Sequence, residues 1–171
     1  MNILILQGSP RAQGNTAWMA EEFRQAAAAA GHQVTLVDVA HKKIAGCLAC
    51  EYCHNKGNDA CIQKDDMQEL YPLMAEADAL VLASPVYYFT MSAQIQAAIQ
   101  RLYCVNSPAK VKKMALLLSS YSPDVYDGAI AEFRDICNYW KVENLGHVTA
   151  KIDEQKTDDI KQKIRELVDK I

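Results

Sequence analysis

Apolar and polar positions along the chain alternate between two periods. Residues 2 to 7, "NILILQ", form an almost unbroken apolar run ending at Gly8. The segment "TAWMAEEFRQAAAAAG" that follows sets Ala20, Phe23, Ala27 and Ala30 on one helical face. This predicts strand, loop, helix. Gly31 suits the helix terminus, and "HQVTLVDV" alternates as a second strand. After a polar, cysteine-rich stretch at about 46–64 comes "DDMQELYPLMAEA", a short helix with Asp65 as N-cap and Gln68 at the capping-box position. Pro72 is expected to kink or shorten it. "ALVLASP" is a third, fully apolar strand. A helix from about Ser92 to Tyr103 leads to the strand "KMALLLSS", a helix near residues 126 to 140 and a fifth strand around "ENLGHVTA". The last helix, 157 to 171, puts Ile160, Ile164, Leu167, Val168 and Ile171 on one stripe.

Five strands alternating with five helices predict an α/β fold: a doubly wound, five-stranded parallel sheet with helices on both faces. With no repeat and no low-complexity linker, residues 1–171 are expected to form one domain. Sheets of this kind take ligands outside the carboxyl ends of their strands. The site is therefore expected on the loops at 8–15, 39–64, 84–91 and 119–125.

A net charge of −3 leaves no basic face for a phosphate backbone, so nucleic acid is not an expected partner. The opening "MNILILQGSP" is too short and lacks the flanks of a secretion signal, and no apolar run approaches a membrane span. A cytoplasmic protein is expected. Thiols stay reduced there, which makes the four cysteines between residues 47 and 61 a metal or redox motif before a disulfide staple.

The first loop, "GSPRAQGNT", joins a strand to a helix N-terminus, where free N–H groups and the helix dipole favour an anion. Ser9, Asn15 and Thr16 add neutral donors, Arg11 adds a charge, and Gly8 and Gly14 allow close approach. A phosphate monoester suits this composition; a plain turn with an N-cap suits it equally. A P-loop and a dinucleotide loop are excluded by the absent Lys-Ser/Thr and by the glycine spacing. The third loop, "SPVYYFTMSAQ", carries Tyr87, Tyr88 and Phe89 around Pro85. These aromatics either wall a flat heteroaromatic ligand or serve a core or an interface.

The thiols read CxxCxxC, then seven residues, then Cys61. Three thiolates two residues apart can wrap three corners of a cubane cluster, with Cys61 as fourth ligand. Tetrahedral zinc on the four thiolates and redox-active thiols remain alternatives. Cys104 and Cys137 fall on predicted helices and read as small buried hydrophobes, and His54 as a solvated loop residue.

Together, "GSPRAQGNT", "GCLACEYCHNKGNDACIQKDDM" and "ADALVLASPVYYFTMSAQIQAAIQR" resemble the flavodoxin-like NADPH-dependent FMN reductase family, and more narrowly its iron-sulfur flavoprotein branch, over roughly the first 105 residues. The resemblance implies a flavodoxin-like fold with FMN bound noncovalently. Ser9, Arg11, Gly14, Asn15 and Thr16 would hold its phosphate. Pro85, Val86, Tyr87, Tyr88 and Phe89 would line the ring, with Ser119 and Ser120 nearby. It also implies a [4Fe-4S] cluster on Cys47, Cys50, Cys53 and Cys61. Two departures stand out: "LLLSSYSPD" replaces a glycine-containing turn after the fourth strand, and Gln100 stands where an Asp commonly precedes the arginine, here Arg101. The expected function is an FMN-dependent oxidoreductase fed by NAD(P)H or a ferredoxin-like donor. Its acceptor would be a small molecule, a redox protein or the cluster, and no side chain need act as acid or base. A non-enzymatic electron carrier and a flavin reductase whose cysteines bind zinc or nothing are the alternatives. A homodimer or higher homo-oligomer covering the flavin is expected.

Overall fold

The computed structural model describes residues 1–171. Its elements are strand β1 (Asn2–Gln7), helix α1 (Asn15–Ala29), β2 (Gln33–Asp38), a one-turn helix α2 (Tyr52–Asn55), α3 (Met67–Glu76) and β3 (Ala79–Tyr87). Then follow a two-residue strand β4 (Thr90–Met91), α4 (Ala93–Arg101), β5 (Lys113–Ser120), α5 (Asp127–Trp140), β6 (Glu143–Lys151) and α6 (Asp158–Val168). Single 3-10 turns, Val39–His41 and Leu102–Val105, follow β2 and α4.

Strands β2, β1, β3, β5 and β6 lie side by side in that order, all parallel. This is the flavodoxin-like order, in which the winding reverses between the first strand and its inner neighbour, here β1 and β3. The expected five-stranded parallel sheet gains a sixth strand. β4 folds back antiparallel on the end of β3, with Val86 opposite Met91 and Tyr87 opposite Thr90.

Period-two alternation sorts the strand side chains onto two faces. Leu4, Leu6, Leu80, Leu82, Leu116 and Leu118 meet Met67, Leu70, Ile95, Ala98 and Phe133 from α3, α4 and α5. Ile3, Ile5, Val81, Ala115 and Leu117 meet Met19, Phe23, Ala27, Ile160, Ile164 and Leu167 from α1 and α6. Both apolar layers are closed, which fixes the strand ends and leaves their carboxyl-edge loops to carry chemistry.

Three local expectations change. Ala30 lies past the end of α1 and is exposed; Gly31, at φ +87°, takes the left-handed turn that ends the helix. Asp66, not Asp65, occupies the cap position of α3 and makes no side-chain bond. Asp65, one residue earlier, still serves the helix start, its Oδ1 accepting from the Met67 N–H at 3.2 Å while its Oδ2 accepts from Arg101. Pro72 is accommodated inside α3, which stops at Glu76. No helix is long and apolar enough to cross a membrane.

Candidate functional site

A cleft of about 280 Å³ opens at the carboxyl edge. Ser9, Arg11, Gly14, Asn15 and Thr16 line one end, Pro85, Val86 and Tyr87 another, and Ser119, Ser120 and Tyr121 a third. The two separate loops suggested by the sequence thus share one space. Ile152 and Gln155, from the segment after β6, complete it. No sequence signal pointed to them, because their place depends on β6 lying next to β5.

The first loop is built to receive an anion. Gly14 is the N-cap of α1 and makes no side-chain cap, and no acidic residue stands in the first turn. By contrast, α4 and α6 are capped by Ser92 and Thr157. The positive end of α1 is therefore presented uncovered to the cleft. Ser9 and Thr16 are buried hydroxyls at this end. The Ser9 N–H donates to Gln7 Oε1, the Arg11 N–H donates to Ser9 Oγ at 3.3 Å, and Thr16 Oγ1 pairs with Ser119 Oγ at 2.6 Å, tying the first loop to β5. Gly8 is required: a Cβ there would run into Ile95 and Ser92 Oγ at the start of α4.

At the other end, Gln155 Nε2 donates to Ser120 O and Ala150 O, both at 3.0 Å, while its Oε1 is buried without a partner. An orphaned acceptor in a cleft wall calls for a ligand N–H or O–H. Uncapped helix terminus, buried hydroxyls and orphan acceptor together fit a phosphorylated heteroaromatic cofactor such as FMN.

Tyr88 and Phe89 do not line the cleft. They are the two central residues of the β3–β4 hairpin, at φ +47° and +68°, with Tyr88 96% exposed. Two-residue hairpin turns with both residues left-handed favour Asn-Gly, and bulky aromatics there are strained by about 1–3 kcal/mol each. Replacing Tyr88–Phe89 with Asn-Gly is expected to raise the melting temperature by several degrees, as read by scanning calorimetry; an unchanged or lower value would contradict the strain.

The thiols occupy a second place. Cys47, Cys50, Cys53 and Cys61 all line one small cavity of about 20 Å³, and with them stand Arg101, Tyr103 and Cys104. Cys47 and Cys50 are exposed and Cys53 is buried, its thiol pushed up by that burial. No three side chains converge into a ready-made metal-gripping group. Local backbone shapes the loop: Ala49, Glu51, Asn58 and Asp59 are left-handed, the Ala49 N–H points to Cys47 Sγ at 3.4 Å, and α2 carries Cys53. His54 is not free in solvent but docks the loop, its Nε2 3.1 Å from Tyr103 O and its ring edge-on to Tyr103. Cys137 is the expected core residue, its thiol pushed up to about 11 by burial. Cys104 is buried too, yet it belongs to the thiol cavity, 43 positions beyond Cys61 and beyond the reach of any spacing rule.

Arg101 is the largest fully buried side chain of the protein. Nη1 donates to Asp65 Oδ2 at 2.5 Å and to Ala45 O at 3.1 Å, whereas Nε and Nη2 are buried and unpartnered. Desolvation works against its charge, but the bond to Asp65 outweighs it and the guanidinium stays protonated. Buried donors without partners cost about 1–3 kcal/mol, more for a charged group. Four thiols and a buried cation with spare donors in one wall fit an anionic, thiolate-held centre. The two sites are joined by α4, which begins beside Gly8 and ends at Arg101, nine residues or about 13 Å later.

Comparison with known proteins gives the family and the fold. The chain is 40% identical over 102 residues to an iron-sulfur flavoprotein of Archaeoglobus fulgidus, covering 60% of this chain and 46% of that protein. It is 35% identical over 101 residues to one from Methanocaldococcus jannaschii, covering 59% and 51%. The chain thus spans about half the length of the curated relatives it matches. Among solved structures, RosB with a bound flavin-derived intermediate superposes with a TM-score of 0.79 at 15% identity, over 99% of this chain and 76% of that one. The NAD(P)H:quinone oxidoreductase of Methanothermobacter marburgensis gives 0.71 at 17% identity, over 99% and 93%. At these identities the superpositions establish the flavodoxin-like fold. The family model for NADPH-dependent FMN reductase matches residues 1–165, almost the whole of the chain, which therefore belongs to that family of flavin-dependent oxidoreductases.

Proposed function

We propose that the protein is an FMN-dependent oxidoreductase of the cytoplasm. It takes reducing equivalents from NAD(P)H or a ferredoxin-like donor and passes them to a small acceptor, a redox protein or a [4Fe-4S] cluster on Cys47, Cys50, Cys53 and Cys61. The observation that carries this reading is the uncapped α1 terminus with the buried Ser9 and Thr16 hydroxyls, sharing one cleft with Pro85, Val86 and Tyr87. FMN, when bound, supplies the hydride and electron chemistry. The chain's own groups bind and orient. The α1 terminus, Ser9, Thr16 and Arg11 hold the phosphate, the β3 loop borders the ring, and Gln155 Oε1 accepts a ligand hydrogen bond. No side chain need carry a proton.

The cluster is supported by the names of the sequence relatives and by the four thiols sharing one cavity. Helix α4, about 13 Å long, links that cavity to the cleft, a separation that supports electron exchange between the two centres in this reading. At the β3 and β5 loops, Tyr87, Tyr88, Phe89 and Tyr121 are exposed. Aromatic surface of this kind favours a second copy of the chain, and a homodimer is the assembly we propose.

The test is a near-ultraviolet and visible spectrum of anaerobically purified protein, with iron, zinc and FMN assayed on the same sample, followed by mixing with NADPH or NADH. Flavin bands over a broad iron-dependent shoulder, with the flavin bleached by a pyridine nucleotide, are expected. A colourless protein would overturn the flavin reading, and flavin without iron from cells able to build clusters would return the thiols to zinc or thiol chemistry. A flavin that stays yellow with both nucleotides would remove direct nucleotide oxidation.

A further inference from the structure

The thiol cavity contains more than ligands. Arg101 is 1% exposed, and of its guanidinium only Nη1 is used, on Asp65 and on Ala45 O, while Nε and Nη2 lie buried with nothing to bond. The other polar side chains in the cavity wall make bonds away from Arg101. Glu51 Oε1 accepts from the Tyr103 hydroxyl at 2.9 Å, and Gln63 Nε2 donates to Gly46 O at 3.1 Å. Five sulfurs, those of Cys47, Cys50, Cys53, Cys61 and Cys104, line the same cavity, and with the thiols unloaded none of them is bonded to Nε or Nη2. Asp65 fixes one edge of the guanidinium plane, so the opposite edge is held at a set orientation and cannot turn to water.

We propose that Arg101 is a positioning residue for the thiolate-held centre: its Nε and Nη2 donate N–H···S hydrogen bonds to sulfur in this cavity and hold the reduction potential of the centre up. The inference rests on the cluster reading of the thiols given above. Reduction adds one electron to the iron centre, with no proton taken up and no bond formed or broken, so the gain in negative charge is stabilised by the fixed cation and its donors. Hydrogen bonds to the sulfurs and burial are the levers by which a protein sets such a potential.

The experiment is an anaerobic dithionite titration of the holoprotein, the iron couple followed by electron paramagnetic resonance and the flavin couple by absorbance. The wild type is compared with Arg101→Gln and Arg101→Lys. The flavin serves as internal reference because Arg101 does not line its cleft. In Arg101→Gln the reduction equilibrium of the iron centre is expected to become at least tenfold less favourable, about 59 mV for a one-electron couple. Arg101→Lys, which keeps the charge but loses the fork, falls between, and the flavin couple stays put.

A measurement on the wild type keeps the inference open to refutation if neither variant folds. Protein labelled with nitrogen-15 arginine should show a nitrogen coupling to the reduced iron centre in pulsed resonance, and no other arginine lines the cavity. An iron couple unmoved in both variants, a flavin couple that moves equally, or no nitrogen coupling would overturn the role of Arg101 alone. A wild-type protein purified without iron would instead overturn the cluster reading and this inference with it.

Discussion

Asp65→Ala is expected to lower the unfolding free energy by about 3–5 kcal/mol, because it removes the only carboxylate on a fully buried guanidinium. The cost lies less in the lost attraction than in the charge left behind. Arg101 already has two unpartnered donors, and without Asp65 it would keep only the carbonyl of Ala45. For a chain of this length the melting temperature should fall on the order of 10 °C. Removing an exposed partner sets the scale: Glu76, paired with Lys110 with both side chains at least half exposed, should cost under about 1 kcal/mol as alanine.

The same pair predicts a pH dependence. Burial acts to raise the Asp65 carboxyl, but the Arg101 hydrogen bond and the N–H groups of Ala45 and Met67 outweigh it and hold it below the ordinary carboxylate value. A depressed carboxyl stabilises the fold fully above its unfolded value of about 4, and that contribution is lost as the pH falls through the folded value. Urea unfolding of wild type and Asp65→Ala should therefore show the full gap at neutral pH and a narrowing gap in acid below about pH 4. A gap that widens in acid would refute the assignment.

Reversing the charge of the first loop should have the largest effect on the cleft. Arg11 lines it, and its side chain is exposed and spends no hydrogen bond elsewhere in the fold. A charge-assisted bond to phosphate contributes about 1.5–3 kcal/mol. A glutamate at this position removes that bond and sets like charges together, so Arg11→Glu should weaken FMN binding about a hundredfold or more. Riboflavin, which lacks the phosphate, serves as the control. Its affinity, measured by flavin fluorescence quenching, should change by less than about twofold. Equal losses for both ligands would place the phosphate elsewhere.

The strands at the centre of the sheet were legible because β1, β3 and β5 are covered on both sides. Burial on two faces writes itself as continuous apolar sequence. The cleft was legible to the extent that it is made of loops following such strands, which brought Ser9 to Thr16, Pro85 to Tyr87 and the serines at 119 and 120 into one list. What the sequence concealed depends on tertiary position. β4 rests on two residue pairs and a Tyr88–Phe89 turn that carries none of the Asn-Gly signal, and that turn carries both aromatics away from the cleft. Ile152 and Gln155 enter through the neighbour relation of β5 and β6. Arg101 entered the sequence reading only as the arginine after Gln100, and nothing near it in the chain announces Asp65, which lies 36 residues earlier.

The cysteine loop leaves the sheet at its edge, after β2, and returns only at α3. No residue between 46 and 64 belongs to either apolar layer. Order of biogenesis follows from this arrangement. The chain can collapse, close its sheet and admit its organic cofactor with the thiols still empty. On the proposed cluster reading, metal delivery is then a late maturation step on a protein that is already folded, and a failure of that supply would leave a stable, unfinished protein rather than an aggregated one.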